Sequence, residues 1–142
     1  MGCAMCWGSK VGIYHLVFLP IICLELQGGV PSIWGAVDLC ALCMVAAGLC
    51  MAHALRPRGP WDLKLARRGF RTNVLFGDFV EVAYPFMERS PLCCLAGYIG
   101  AALSGVLIAI SGARSCAYLP LPLALAISNR PVWLAGAALA AF

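Results

Sequence analysis

Two carboxylates and an arginine lie in one apolar stretch of this chain. Arg71, Val74, Asp78, Glu81 and Pro85 are spaced 3, 4, 3 and 4 residues apart. At about 3.6 residues per turn, this spacing predicts one shared face of a helix over residues 71–88. Glu81 stands ten residues beyond Arg71, about 15 Å further along such an axis. A carboxylate at that depth in hydrocarbon costs a few kcal/mol unless it is paired or solvated. Such a stripe implies a polar site facing a bundle interior or a neighbouring subunit. The alternative is an interhelical clamp, with Glu81 against an arginine of another helix. Asp38, in the preceding apolar stretch, reads as a residue near the outer interface.

A second set of polar residues comes later. Asn129 and Arg130 precede Pro131, a proline suited to the first turn of a helix. Arg114 and Arg130 bracket a connection containing Pro120 and Pro122. Arginines recognise carboxylates and acids recognise amines, so a site built from both would suit a small zwitterionic or anionic ligand.

Nine cysteines occur, at 3, 6, 23, 40, 43, 50, 93, 94 and 116, mostly inside apolar stretches. There a free thiol packs as a small hydrophobe. The odd count and the lack of loop pairs argue against a disulfide framework. Cys3-x-x-Cys6 has no second pair in a water-exposed loop, and Cys40-x-x-Cys43 falls on one helix face inside the membrane, so no metal is expected. Met1-Gly2-Cys3 lacks the Ser or Thr of a strict myristoylation motif, although a cysteine beside a membrane invites palmitoylation. His15 and His53 are isolated.

The elements that must position these residues follow from composition. Of 142 residues, 63% are hydrophobic and 11% charged, against roughly half and a quarter in a soluble domain. The mean hydropathy is +0.91. That excludes a disordered chain, and it excludes a nucleic-acid binder despite the net charge of +4. Five apolar segments stand out, at 11–27, 32–55, 71–88, 91–113 and 117–142. Period-two alternation is absent, which argues for helices rather than a membrane barrel. The expected fold is therefore all-α, a polytopic membrane bundle. Four core transmembrane helices over 32–142 would follow an N-terminal hydrophobic extension over 1–31. No cleavage signal is evident in that extension.

Six of ten basic residues fall between positions 56 and 71. The positive-inside rule places them in the cytoplasm. On that topology Glu88 and Arg89 lie outside, and Arg114 returns to the cytoplasmic face. Arg71, Arg114, Arg130 and the two carboxylates would then converge at the cytoplasmic end.

These motifs resemble the MAPEG family, the membrane-associated proteins of eicosanoid and glutathione metabolism. Gly77-Asp78-Phe79-Val80-Glu81 is similar to the family's second-helix motif, and Glu81-Val-Ala-Tyr84-Pro85-Phe86 to a Glu-x-x-Tyr-Pro-Phe run. Gly112-Ala113-Arg114 and Arg130, sixteen residues later, resemble a Gly-x-Arg and a later arginine. The resemblance implies four helices per subunit, a homotrimer, and glutathione bound between subunits as co-substrate. It implies that Arg71, Asp78, Glu81, Arg114 and Tyr118 hold glutathione, and that Arg130 stabilises its thiolate for attack on a lipophilic electrophile or peroxide. Val74 and Phe76 stand where glutathione-binding members carry arginine and histidine, and Ala117 where they carry a second histidine. The alternative is a non-catalytic membrane scaffold or lipid-binding protein. Either way the chain is expected in a membrane: the endoplasmic reticulum or another internal membrane in a eukaryote, the inner membrane in a bacterium.

Overall fold

Proline and glycine cut the apolar sequence into rods. Pro60, Pro91 and Pro131 each open a helix, where a missing N–H costs nothing. Gly77 and Gly112 close two of them in the left-handed conformation. The structure is a computed structural model in which residues 1–77 and 80–142 are described. Among the described residues it is all-α, with eight helices. They are α1 (Gly2–Val11), α2 (Tyr14–Gln27), α3 (Ile33–Leu55), α4 (Pro60–Phe76), α5 (Tyr84–Arg89), α6 (Pro91–Ser111), α7 (Leu121–Ile127) and α8 (Pro131–Ala141). The middle of α3, Leu39–Met44, widens into a π-helical stretch, and a 3₁₀ turn, Val80–Ala83, leads into α5.

Two helices, α3 and α6, are long and apolar enough to cross a membrane. Their surroundings differ. Of the most apolar stretch of α3, 89% is buried, against 33% for α6. α3 is thus the axis around which the other helices pack. On α6 the inward face is built from Gly97, Gly100, Ala101, Ser104 and Gly105. Small residues let backbones approach closely. A methyl group added at Gly100 would stand 2.9 Å from the carbonyl oxygen of Ala141 in α8, and one at Gly105 would stand 3.0 Å from the backbone nitrogen of Gly2 in α1. The outward face of α6 carries Leu92, Leu95, Ile99, Leu103, Val106 and Ile110, all exposed.

α3 and α6 are antiparallel. At one end, Ser32 and Ser115 exchange backbone hydrogen bonds of 2.9 and 3.0 Å. At the other, the His53 imidazole lies 3.9 Å from the Cys93 thiol and stacks on Phe86 with ring centroids 4.2 Å apart. Between the two long helices the chain makes a hairpin. α4 leaves the His53 end and runs back along α3, with Gly69 against Cys50 and the Cys43 thiol donating to the Gly77 carbonyl at 2.7 Å. The return strand of the hairpin packs Val82 on Gly69, and Arg89 reaches Asp62 at 2.7 Å.

This corrects two expectations. Residues 71–88 are not one helix: α4 begins at Pro60, ends at Phe76, and Gly77 breaks the line. The spacing of Arg71, Glu81 and Pro85 therefore does not place them on one helical face. Glu88 and Arg89 return to the end that holds the basic cluster, so Arg114 lies at the opposite end from it. The last apolar segment is broken as its three prolines imply, into two short helices, with Pro131 and the turn before it between them. α8 is 11 residues long, about 16 Å, and its final residue, Phe142, meets Gly48 at the middle of α3.

The N-terminal 31 residues share this core. Met5, Cys6, Tyr14 and Ile22 are buried in the same cluster as Leu39, Ala101, Ile108 and Leu134.

Candidate functional site

The polar residues that come together inside the bundle are led by Asp38, which is 2% exposed. It sits at the end of the first turns of α3, just before the π-helical stretch. The Tyr14 hydroxyl, from the start of α2, donates to Asp38 Oδ1 at 2.6 Å. The Tyr14 and Tyr118 hydroxyls are 2.9 Å apart. A charge-assisted bond of this kind is among the stronger ones, and it stabilises a carboxylate that burial would otherwise penalise. Tyr118 holds a left-handed backbone, φ 59°, costly for a residue with a side chain. Glu81, from the 3₁₀ turn, joins Tyr14, Asp38 and Tyr118 around a cavity of about 50 Å³, together with Ser9 and His15. That volume suits a water or a small ion, not a tripeptide. Ser9 Oγ lies 2.5 Å from the Tyr84 hydroxyl, closing the group on one side.

The expected site residues fall into separate places. Glu81 and Tyr118 share the internal cavity. Arg114 and Arg130 share the Ser32 end: Asn129 Oδ1 accepts from the Arg114 backbone N–H at 2.7 Å, and Arg130 Nη1 donates to the Ser111 carbonyl. Arg71 is exposed on α4, where it lines an open surface groove with Lys64, Arg67 and Arg68. Asp78 lies outside the described residues. Within one chain Arg71, Glu81 and Arg130 therefore do not converge.

Sequence reasoning missed Tyr14 and undervalued Asp38. Asp38 is not an interfacial residue but the most buried acid among the described residues. Its partner is a tyrosine 24 positions away on another helix, a relationship no local pattern encodes.

A second feature is wholly apolar. Met44, Phe70, Val74, Leu121, Leu139 and Phe142 line a groove of about 400 Å³ between α3, α4, α7 and α8. Phe70 and Phe142 meet edge to face, with centroids 6.1 Å apart. The nine cysteines are free thiols. Burial beside Cys3 and Cys94 pushes the Cys6 thiol up to about 12, which keeps it neutral and unreactive. Among the described residues no three His, Cys, Asp or Glu side chains gather as metal ligands. Comparison with protein-family models, curated proteins and solved structures returned no match.

Proposed function

We propose that this chain is an integral membrane protein, crossed by α3 and α6, that binds lipid without catalysing a reaction. One observation carries the reading: the exposed apolar face of α6. Leu92, Leu95, Ile99, Leu103, Val106 and Ile110 recur every three or four residues, over about 27 Å of helix. The hydrocarbon core of a bilayer is about 30 Å thick. Contiguous exposed apolar patches of this kind mark membrane or partner surfaces. The apolar groove beside Phe70 and Val74 is of a size and character to take an acyl chain. In this reading α4, the 3₁₀ turn and α5 form a re-entrant hairpin, tolerated because its backbone breaks where neighbouring helices cover it.

The second reading is the MAPEG-like glutathione transferase or peroxidase. It is favoured by Arg130 and Arg114, which share one end of the bundle. It needs a further copy of the chain, a homotrimer by the resemblance, to bring Arg71 and Glu81 of one subunit towards Arg130 of another. Glutathione would then be co-substrate and Arg130 the group beside its thiolate.

Two measurements separate these. Protein that stays with membranes through an alkaline carbonate wash supports membrane integration, and release by the wash overturns it. Purified protein in detergent should not conjugate glutathione to an aryl halide. Conjugation by the wild type that Arg130→Ala abolishes would replace the first reading by the second.

A further inference from the structure

An open cavity of about 530 Å³ lies at the Ser32 end, between the close of α2, the start of α3 and the end of α6. Met1, Glu25, Val30, Trp34, Ala109 and Arg114 are among the residues that line it. The Glu25 Oε2 atom is buried and has no hydrogen-bond partner. Buried acceptors are nearly always satisfied, so an orphaned carboxylate oxygen on a cavity wall signals a missing donor. Arg114 does not supply it: the one ion pair among the described residues joins Arg89 and Asp62. The cavity thus presents a free carboxylate oxygen and a separate guanidinium. Ser32 Oγ, also on the wall, already accepts from the Gly35 N–H at 2.8 Å. Trp34 is held in place by Phe18, with ring centroids 6.0 Å apart.

We propose that this cavity binds the headgroup of phosphatidylethanolamine. The proposal rests on the membrane reading above. The acceptor decides between amines. A primary ammonium has N–H donors to satisfy Glu25, whereas the quaternary ammonium of choline has none. The phosphodiester pairs with the Arg114 guanidinium, which suits a phosphate oxygen pair. A lipid, rather than a free phosphoamine, is the source because of where the cavity sits. The exposed stripe on α6 reaches Ile110 beside it, so acyl chains attached to the headgroup run on along Val106 and Leu103. Trp34 stands at the depth where tryptophans collect in membrane proteins, the boundary of hydrocarbon and headgroups.

The test is native mass spectrometry of protein released from nanodiscs of equal phosphatidylethanolamine, phosphatidylcholine and phosphatidylglycerol. Wild type should retain phosphatidylethanolamine at least about tenfold over phosphatidylcholine, the size of one hydrogen bond to a charged group. Glu25→Leu should erase that preference and keep the overall amount of lipid, while Glu25→Gln, whose amide oxygen still accepts, keeps part of it. Arg114→Gln should lower retention of all three phospholipids, and Arg58→Gln, at the far end, should change nothing. Equal retention of the three lipids by wild type, or an unchanged preference in Glu25→Leu, overturns the proposal. Displacement of the lipid by millimolar O-phosphoethanolamine would reassign the site to a soluble headgroup and overturn it too. Protein that enters nanodiscs but shows no headgroup preference defeats this proposal alone. Protein that does not enter nanodiscs defeats the membrane reading with it.

Discussion

Arg89 Nη1 lies 2.7 Å from Asp62 Oδ1, and this contact ties the last residue of α5 to the first turn of α4. It closes a hairpin whose tip is 15 residues away at Gly77. Asp62 is nearly buried, with 11% of its side chain exposed, while Arg89 is half exposed at 51%. Solvent screening on the arginine side limits what the pair contributes. Removing the arginine, however, strands a buried carboxylate. Arg89→Ala should destabilise the protein by about 1–2 kcal/mol, and Asp62→Asn by less, because the amide still accepts a hydrogen bond. Thermal unfolding in detergent, with the double variant closing the cycle, checks both. Equal losses in the two single variants would show that the pair, not the stranded charge, sets the cost.

Gly77 should tolerate no side chain. Its φ is 72°, and a methyl group there would collide with the Leu119 carbonyl. Gly77→Ala should cost at least about 1 kcal/mol for the conformation alone, and more for the clash. Hydrogen exchange should quicken first in residues 80–90, the return arm of the hairpin. Uniform quickening across α3 and α6 would mean that the hairpin does not open as a local unit.

Tyr14→Phe removes the hydroxyl that donates to Asp38 and touches Tyr118. The expected loss is about 1–3 kcal/mol, the cost of depriving a buried polar group of one partner. Tyr118→Phe should cost less, since the Tyr14–Asp38 bond survives. The two losses should not add in the double variant, because both act through one network. Additive losses would show independent roles.

The two faces of α6 should respond in opposite ways. Gly100→Leu should destabilise the fold by displacing the end of α8, whose Ala141 carbonyl faces it. Leu103→Ala, on the exposed face, should change stability by no more than about 0.5 kcal/mol. Leu103→Lys should lower membrane insertion by about 2.5–3.5 kcal/mol, the cost of a cation near the middle of a spanning helix. Unimpaired insertion of Leu103→Lys would place that face in water.

Topology gives a direct check of the hairpin. An epitope inserted at Gly59 and another at Asn129 should lie on opposite sides of the membrane, and one at Ser90 on the side of Gly59. This follows from His53 lying beside Cys93 and Ser32 beside Ser115. An epitope at Ser90 on the side of Asn129 would restore a single crossing between residues 71 and 88.

Much of the architecture was legible in the chain itself. Long uncharged runs produced α3 and α6 close to their observed bounds, since hydropathy and length suffice to define such helices. Pro131 marked a helix start, and the three prolines after residue 117 signalled a broken C-terminal segment, whereas the start at Pro60 went unread. Arg114 and Arg130 were correctly read as neighbours at one end, because the connection between them is short. Period arguments failed at Gly77. A 3.6-residue spacing assumes an unbroken helix, and one glycine in a left-handed conformation cancels it for every residue beyond.

By itself, then, the sequence determined the helical class, the two long apolar helices and the scarcity of charge within them. These are properties of local composition, and local composition carries them in full. Only the tertiary structure decided which way the chain returns after Gly77, that Asp38 meets Tyr14 deep in the core, and that Glu25 is left facing a cavity without a donor. Those outcomes depend on contacts between residues far apart in sequence. The close packing of α1 and α8 on the glycine-rich face of α6 sets them, and no single segment contains the information.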